Sequence, residues 1–281
     1  MASLQVKGKI QAVITRSRFP NTERISIMFA SISLAYALTQ FINSPSQTYF
    51  FSILGILIPI KINFQTLVTV AVTIMTASGT NWLMDDGQVS DKEASVPHWL
   101  LPALTAWIIS ILLITLPLSL LWWGVFLIGG LFLLTVVLAE YIVKDPQDVR
   151  HPFAAAGLTA LGYTVFIILA ISLRSTKTRL ILTLPALGFT AGLICLRALH
   201  LRLQGKRQIP QSIAATLIIM QLAAGLHYFA ISSISYGMVL LGAIYFMINF
   251  MINNDSGFNF REAIREPLIS MGIIWLIAIW V

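Results

Sequence analysis

The chain has 281 residues, of which 57% are hydrophobic and only 10% are charged. A soluble domain carries roughly 25% charged residues, so this composition excludes an ordinary soluble protein. The single cysteine, Cys195, excludes a disulfide framework and a cysteine-based metal site. We assign the net charge of +7 to loops at an anionic membrane surface, because no basic run with interleaved aromatic residues points to nucleic acid.

Apolar runs recur from residue 25 to the C-terminus, and most are long enough to cross a hydrocarbon core of about 30 Å. We therefore predict an all-α, polytopic integral membrane helix bundle of about nine transmembrane helices. Residues 25–281 form its single domain, and residues 1–24 are expected to be a cytoplasmic tail or surface helix. The predicted spans are 25–43, 64–83, 98–116, 118–143, 152–173, 180–200, 212–231, 233–253 and 267–281.

Residues 49–63 hold an apolar stretch that is short for a span and contains Pro59 and Lys61. We predict a short re-entrant or interfacial segment here. Charge supports this choice: with nine spans and a cytoplasmic N-terminus, most of the 18 Lys and Arg residues lie in the cytoplasm, whereas a tenth span would divide them evenly. We accordingly predict a multi-pass protein of the inner (plasma) membrane with a cytoplasmic N-terminus.

A stripe of threonines follows one face of the second predicted span. Its members are Thr66, Thr69, Thr73, Thr76 and Thr80. Their spacings of three and four residues place them on one helix face, which leads to Asp85 and Asp86. One interpretation is a polar groove for a headgroup or small solute. The other is a close-packing face whose hydroxyls bond to the preceding turn of the same helix.

The loop 81–99 carries the only hint of catalysis. Asn81 and Asp85 resemble part of the first aspartate-rich motif of the UbiA-type intramembrane prenyltransferases, in which acidic residues hold Mg²⁺ and a diphosphate. The third position of that motif falls on Val89, and the region of the second motif, 201–211, contains no acidic residue. The alternative interpretation is a solvated acidic loop.

In the nine-span topology all 11 acidic residues lie at the cytoplasmic end, so a polar site is expected there. Glu140 lies about one turn inside the fourth span, where acids are costly and usually paired. Lys144, four residues on, is one partner that the spacing allows. Arg197 lies at similar depth in the sixth span, on one helix face with His200, and we predict a contact between Arg197 and Glu140. A ligand clamp and a purely structural ion pair both stay open.

Two further patterns concern helix packing and helix ends. Gly188 and Gly192 form a GxxxG pattern, which predicts a close contact between the sixth span and a neighbouring helix. Residues 260–267 read as a short interfacial helix that Pro267 stops.

Four stretches, "HWLLPALTAW" (98–107), "LAEYIVKDPQD" (138–148), "LRALHLRLQG" (196–205) and "IREP" (264–267), resemble an uncharacterised family of bacterial polytopic membrane proteins, a domain of unknown function. The resemblance implies the fold and the compartment and brings no activity with it.

The function favoured by these patterns is binding or transport of a lipid or small solute at a polar site on the cytoplasmic interface. The alternatives are a non-catalytic subunit or scaffold of a larger membrane complex and a prenyltransferase-like, lipid-modifying enzyme. We predict no catalytic residue, metal or cofactor, and the expected partners are membrane lipids and other membrane subunits, without nucleic acid. The candidate ligand-binding residues are Glu140, Arg197, His200, Thr73, Thr76, Thr80, Asp85 and Asp86.

Overall fold

A computed structural model describes residues 21–42, 47–53, 56–84, 98–144, 148–202, 208–257 and 259–281. These ranges hold nine α-helices and one antiparallel pair of β-strands. In chain order they are α1 (Thr22–Phe41), β1 (Gln47–Ile53), β2 (Ile56–Ile62), α2 (Phe64–Met84), α3 (Leu100–Thr115), α4 (Leu120–Val143), α5 (His151–Ser175), α6 (Leu180–Arg202), α7 (Gln208–His227), α8 (Ser233–Asp255) and α9 (Phe260–Trp280).

Seven of these helices, α2 and α4 to α9, are long and apolar enough to cross a membrane. α3 has 16 residues, fewer than the ~20 of a typical span, and α1, with 20 residues, is not among the seven. Lipid offers no partner to backbone N–H and C=O groups, and a helix satisfies them within one segment. The predicted class, a polytopic helical membrane bundle, is confirmed.

The segment 49–63 is not a tenth helix. Its backbone lies in an antiparallel hairpin, in which β1 and β2 pair from Gln47 opposite Ile62 to Ile53 opposite Ile56. Because the hairpin returns the chain to its starting point, α1 and α2 run in opposite directions without a further span between them. The sequence patterns predicted a segment that does not span, but they did not predict strands.

The N-terminal boundary differs from the prediction. α1 begins at Thr22 rather than at residue 25, because Asn21 caps it: the Asn21 side-chain oxygen accepts from the backbone N–H of Glu23 at 2.9 Å. The predicted tail or surface helix at residues 1–24 lies largely outside the described residues, which begin at residue 21.

The bundle has two ends, which we name after features that lie there. At the first, which we call the Glu140 end, Arg24 Nη1 donates to the carbonyl of Trp82 at 2.8 Å, joining the start of α1 to the end of α2. The second is called the hairpin end, because β2 leads there into α2. The described acidic residues all lie within or beside the helix turns at the Glu140 end. They are Glu23, Glu140, Asp148, Asp255, Glu262 and Glu266.

Buried apolar side chains form two clusters. The larger joins α3 to α8 and includes Phe166, Leu187 and Leu240, whereas the smaller joins α1 to α4 around Trp122 and Leu133. Apolar surface gains little by leaving lipid for a helix interface, so close packing and interhelical hydrogen bonds hold such helices together.

α9 shows why the predicted stop at Pro267 is wrong. The helix runs from Phe260 to Trp280 with Pro267 inside it. Proline has no N–H to give to the carbonyl four residues earlier, which belongs to Ala263. That carbonyl accepts instead from the Asn253 side-chain amide of α8, at 3.5 Å. A side chain of the neighbouring helix thus replaces the backbone donor that proline lacks, and proline is tolerated in membrane helices for this reason.

A buried tyrosine links α1 to α3. Tyr36 Oη donates to the carbonyl of Ala106 at 2.7 Å. We expect Tyr36→Phe to lower the free energy of unfolding by about 1 kcal/mol, the net value of one intramolecular hydrogen bond. The loss is limited because Ser110 Oγ, 2.9 Å away, also donates to this carbonyl.

The measurement for Tyr36→Phe is the midpoint of detergent-induced unfolding of the purified protein. Tyr228→Phe is the matched control, since the Tyr228 side chain is 81% exposed. Equal midpoints for the two variants would mean that the α1–α3 hydrogen bond adds no stability.

Candidate functional site

The predicted contact between Glu140 and Arg197 is present, and both of these charged side chains are buried. Glu140 is 0% and Arg197 is 2% exposed. Arg197 Nε donates to Glu140 Oε1 at 3.0 Å, and Nη2 donates to Oε2, so the pair is bidentate. The last turns of α4 and α6 bring the two side chains to the same depth at the Glu140 end.

His98, just before α3, joins this pair and was not among the predicted site residues. Its Nδ1 lies 3.1 Å from Arg197 Nη2 and 3.3 Å from Glu140 Oε2. When Nδ1 carries no proton it can accept from the arginine, and when it carries one it can donate to the carboxylate. Which ring nitrogen carries the proton therefore selects the partner of Nδ1. We call His98, Glu140 and Arg197 together the Arg197 cluster.

One side of the Arg197 guanidinium has no partner in the described part of the chain. Arg197 Nη1 is buried and makes no hydrogen bond within the described residues. A guanidinium has five N–H donors, and the two on Nη1 stay unpaired while Nε and Nη2 serve Glu140 and His98. A buried donor without an acceptor is costly, so this atom marks a place that an acceptor would fill. The His98 side chain, 23% exposed, connects the cluster to the protein surface.

Lys144 does not pair with Glu140 as its spacing suggested. Lys144 Nζ donates instead to the carbonyl of Met84, the last residue of α2. The last carbonyls of a helix lack intrahelical donors, and a lysine placed there satisfies one of them and complements the helix dipole. Arg197 then remains as the charged partner of Glu140.

His200 lies outside the Arg197 cluster. Its Nδ1 is 3.3 Å from the side-chain oxygen of Gln208, the first residue of α7. His200 and Arg197 share α6 at a spacing of three residues, as predicted, but they contact different neighbours. The structure gives His200 a role in joining α6 to α7 and no contact with Glu140.

The threonine stripe is bonded within its own helix. The hydroxyl of each of Thr69, Thr73, Thr76 and Thr80 donates to the carbonyl four residues earlier, at 2.7 to 2.9 Å. Thr76 and Thr80 are fully buried against neighbouring helices. The geometry matches the close-packing interpretation, because these hydroxyls already donate to backbone carbonyls and have no proton left to donate to a solute.

Asp85 and Asp86, at the end of the stripe, lie outside the described residues, as does most of the loop 81–99 that carries the prenyltransferase-like motif. Within the described ranges, no group of three or more His, Cys, Asp or Glu side chains is arranged to hold a metal ion.

Comparison with known proteins gives a family and no activity. The model of a family described as a protein of unknown function, DUF5656, matches residues 44–281. No curated protein and no solved structure matches the chain. The match covers most of the chain, including every residue of the Arg197 cluster. This multi-pass membrane protein therefore belongs to the DUF5656 family.

Proposed function

We propose that this protein binds an anionic group, a carboxylate or phosphate on a lipid or small solute, at the Arg197 cluster. The observation that carries the proposal is the buried Nη1 of Arg197, which has no partner among the described residues. Guanidinium binds carboxylate and phosphate oxygens with geometry that lysine cannot match. Glu140 holds the other side of the guanidinium and leaves Nη1 as the free edge.

Donor chemistry supports an anion rather than a cation as the ligand. A guanidinium has donors and no acceptor, and the Glu140 carboxylate already accepts from Nε and Nη2 of Arg197. The donors that remain on Nη1 fit an oxygen acceptor and repel a cation.

We place the Glu140 end on the cytoplasmic face of the inner membrane, since the positive-inside rule favours that orientation. The proposal is limited to binding. Many transporters hold substrate between discontinuous helices at the membrane midplane, whereas each described helix is continuous and the Arg197 cluster lies in the last turns of α4 and α6.

A non-catalytic subunit of a membrane complex is the second candidate. Two observations favour it: the Glu140–Arg197 pair is self-neutralising, and the threonine donors of α2 are satisfied within the helix. The lipid-modifying enzyme would depend on Asp85 and Asp86, which lie outside the described residues.

The test compares ligands that remain with the purified protein. The site variant is Glu140→Gln/Arg197→Gln, which removes both charges together and leaves no unpaired buried ion. Its matched control is Glu262→Gln/Arg265→Gln, because both of these side chains are exposed on α9. We expect the wild type and the control to carry the same anionic lipid or solute, and the site variant to retain at least about tenfold less.

The measurement is mass spectrometry of small molecules, lipids and proteins that copurify in a mild detergent. Identical bound molecules in all three proteins would overturn the binding proposal. A stoichiometric set of partner proteins, without a ligand that depends on Arg197, would establish the subunit alternative in its place.

A further inference from the structure

A cavity of about 520 Å³ lies at the hairpin end, on the opposite side of the bundle from the Arg197 cluster. It forms where α5 ends and where α6 and α8 begin, beside the last residue of α7. Three basic side chains, Arg174, Lys177 and Arg179, line it together with His227 and Ser233. None of these residues was a candidate site residue in the sequence.

The charge of this cavity is uncompensated within the described chain. Its lining includes three permanent cations and no acidic residue. Every described acidic residue lies at the Glu140 end, a full helix length away. Cations that converge on a concave surface without nearby carboxylates produce a positive potential that attracts anions.

Arg174 forms a fixed wall of the cavity. Its Nη1 donates to the carbonyl of His227 at 2.9 Å, and its Nη2 donates to the carbonyl of Phe229 at 2.8 Å. Its guanidinium carbon also lies 5.4 Å from the centre of the Tyr236 ring. These contacts hold the positive charge in place, so an anion meets it without the cost of ordering the side chain.

Four other polar groups of the lining are available to a ligand, whereas the hydroxyls of Thr178, Thr183 and Tyr236 are already hydrogen-bonded. Lys177 Nζ, the Arg179 guanidinium, the His227 ring and the Ser233 hydroxyl make no hydrogen bond with described residues. Lys177 lies in the turn between α5 and α6, and its φ of +49° is a left-handed conformation. This turn reverses the chain and places Lys177 and Arg179 at the edge of the cavity.

We propose that this cavity binds a phosphate group of net negative charge, presented either by an anionic lipid headgroup in the adjoining leaflet or by a soluble phosphate. Tetrahedral phosphate oxygens match lysine and arginine donors from several directions, and basic pockets between transmembrane helices bind anionic headgroups. The volume exceeds that of one phosphate ion and leaves room for the rest of a headgroup. This site is separate from the Arg197 cluster and does not depend on it.

The experiment uses the full-length protein in detergent and native mass spectrometry, with phosphatidylglycerol, phosphatidylcholine and inorganic phosphate as probes. The cavity variant is Lys177→Asn/Arg179→Gln: both side chains are exposed, and asparagine tolerates the left-handed backbone. The control is Arg261→Gln/Arg265→Gln, which removes the same charge from exposed positions on α9.

We expect phosphatidylglycerol or inorganic phosphate to bind the wild type and the control equally. The cavity variant should bind the same probe about tenfold more weakly. Phosphatidylglycerol binding that excess phosphate does not displace identifies a headgroup site, and displacement by phosphate identifies a soluble-phosphate site. The proposal is overturned if neither probe binds in preference to phosphatidylcholine, or if the control loses binding as much as the cavity variant does.

Discussion

Glu140→Ala is expected to lower the free energy of unfolding by about 3–5 kcal/mol, the cost of leaving a buried ion without its partner. Arg197 is 2% exposed and directs Nε and Nη2 at the carboxylate that this change removes. Because Nη1 already lacks a partner within the described residues, only His98 would remain to accept from the guanidinium.

The double variant Glu140→Leu/Arg197→Met should recover most of that loss. Replacing a buried ion pair by apolar side chains of similar size is often neutral or stabilising, since the desolvation penalty of both charges disappears. A double-mutant cycle with Arg197→Met then isolates the coupling between the two residues. The measurement is the free energy of unfolding in mixed detergent micelles, followed by loss of helical structure.

The control for Glu140 is Glu266→Ala on α9, where the side chain is exposed and the expected change is within about 0.5 kcal/mol. If Glu140→Ala were no more destabilising than Glu266→Ala, the ion pair would not stabilise the bundle. If the double variant were as unstable as Glu140→Ala, charge burial would not be the cause of the loss.

Gly192→Leu is expected to destabilise the contact between α6 and α7 by about 1–3 kcal/mol through overpacking. A Cβ added at Gly192 would lie 2.6 Å from Thr216 Oγ1. Thr216 cannot turn away easily, because it is β-branched and its hydroxyl donates to the carbonyl of Ser212 at 2.8 Å. Ser212 in turn donates to the carbonyl of Gly192 at 2.6 Å, which requires the two backbones to stay close.

Gly225→Leu on α7 is the matched control, because a Cβ at Gly225 meets nothing within 4 Å. Both substitutions replace glycine by a good helix former, so the difference between them reports the steric clash. The measurement is again the free energy of unfolding in detergent. Equal stabilities for the two leucine variants would show that α6 and α7 can separate without cost.

The sequence predicted the Glu140–Arg197 contact and the close approach at Gly192 for a shared reason. In lipid, a buried charge needs an opposite charge at the same depth, and position along a span gives that depth directly. A close approach of helices likewise requires small residues on one face, which the spacing of Gly188 and Gly192 displays. Both arguments depend on the position of a residue along its own helix, so they can be made before the packing of the helices is known.

His98 and Lys144 needed the tertiary structure. The sequence could place His98 at the same end as Glu140, but three of the four histidines are predicted there, and only the packing of α3 against α4 and α6 selects one of them. Lys144 had a suitable spacing from Glu140, yet the end of α2 offers it an unsatisfied carbonyl. A choice between partners depends on which helices are neighbours, and spacing along one chain segment cannot decide it.

Length and hydrophobicity by themselves determined that this chain is a helical membrane bundle, because a span must be apolar over the thickness of the bilayer and must satisfy its own backbone. They could not identify the hairpin at 47–62, since a short apolar run is compatible with strand or helix. Nor could they place Arg174, Lys177 and Arg179 around one cavity, because that depends on where α5, α6 and α8 meet. Local hydrophobicity determines which long segments become membrane helices, and packing between distant segments decides which side chains form a site.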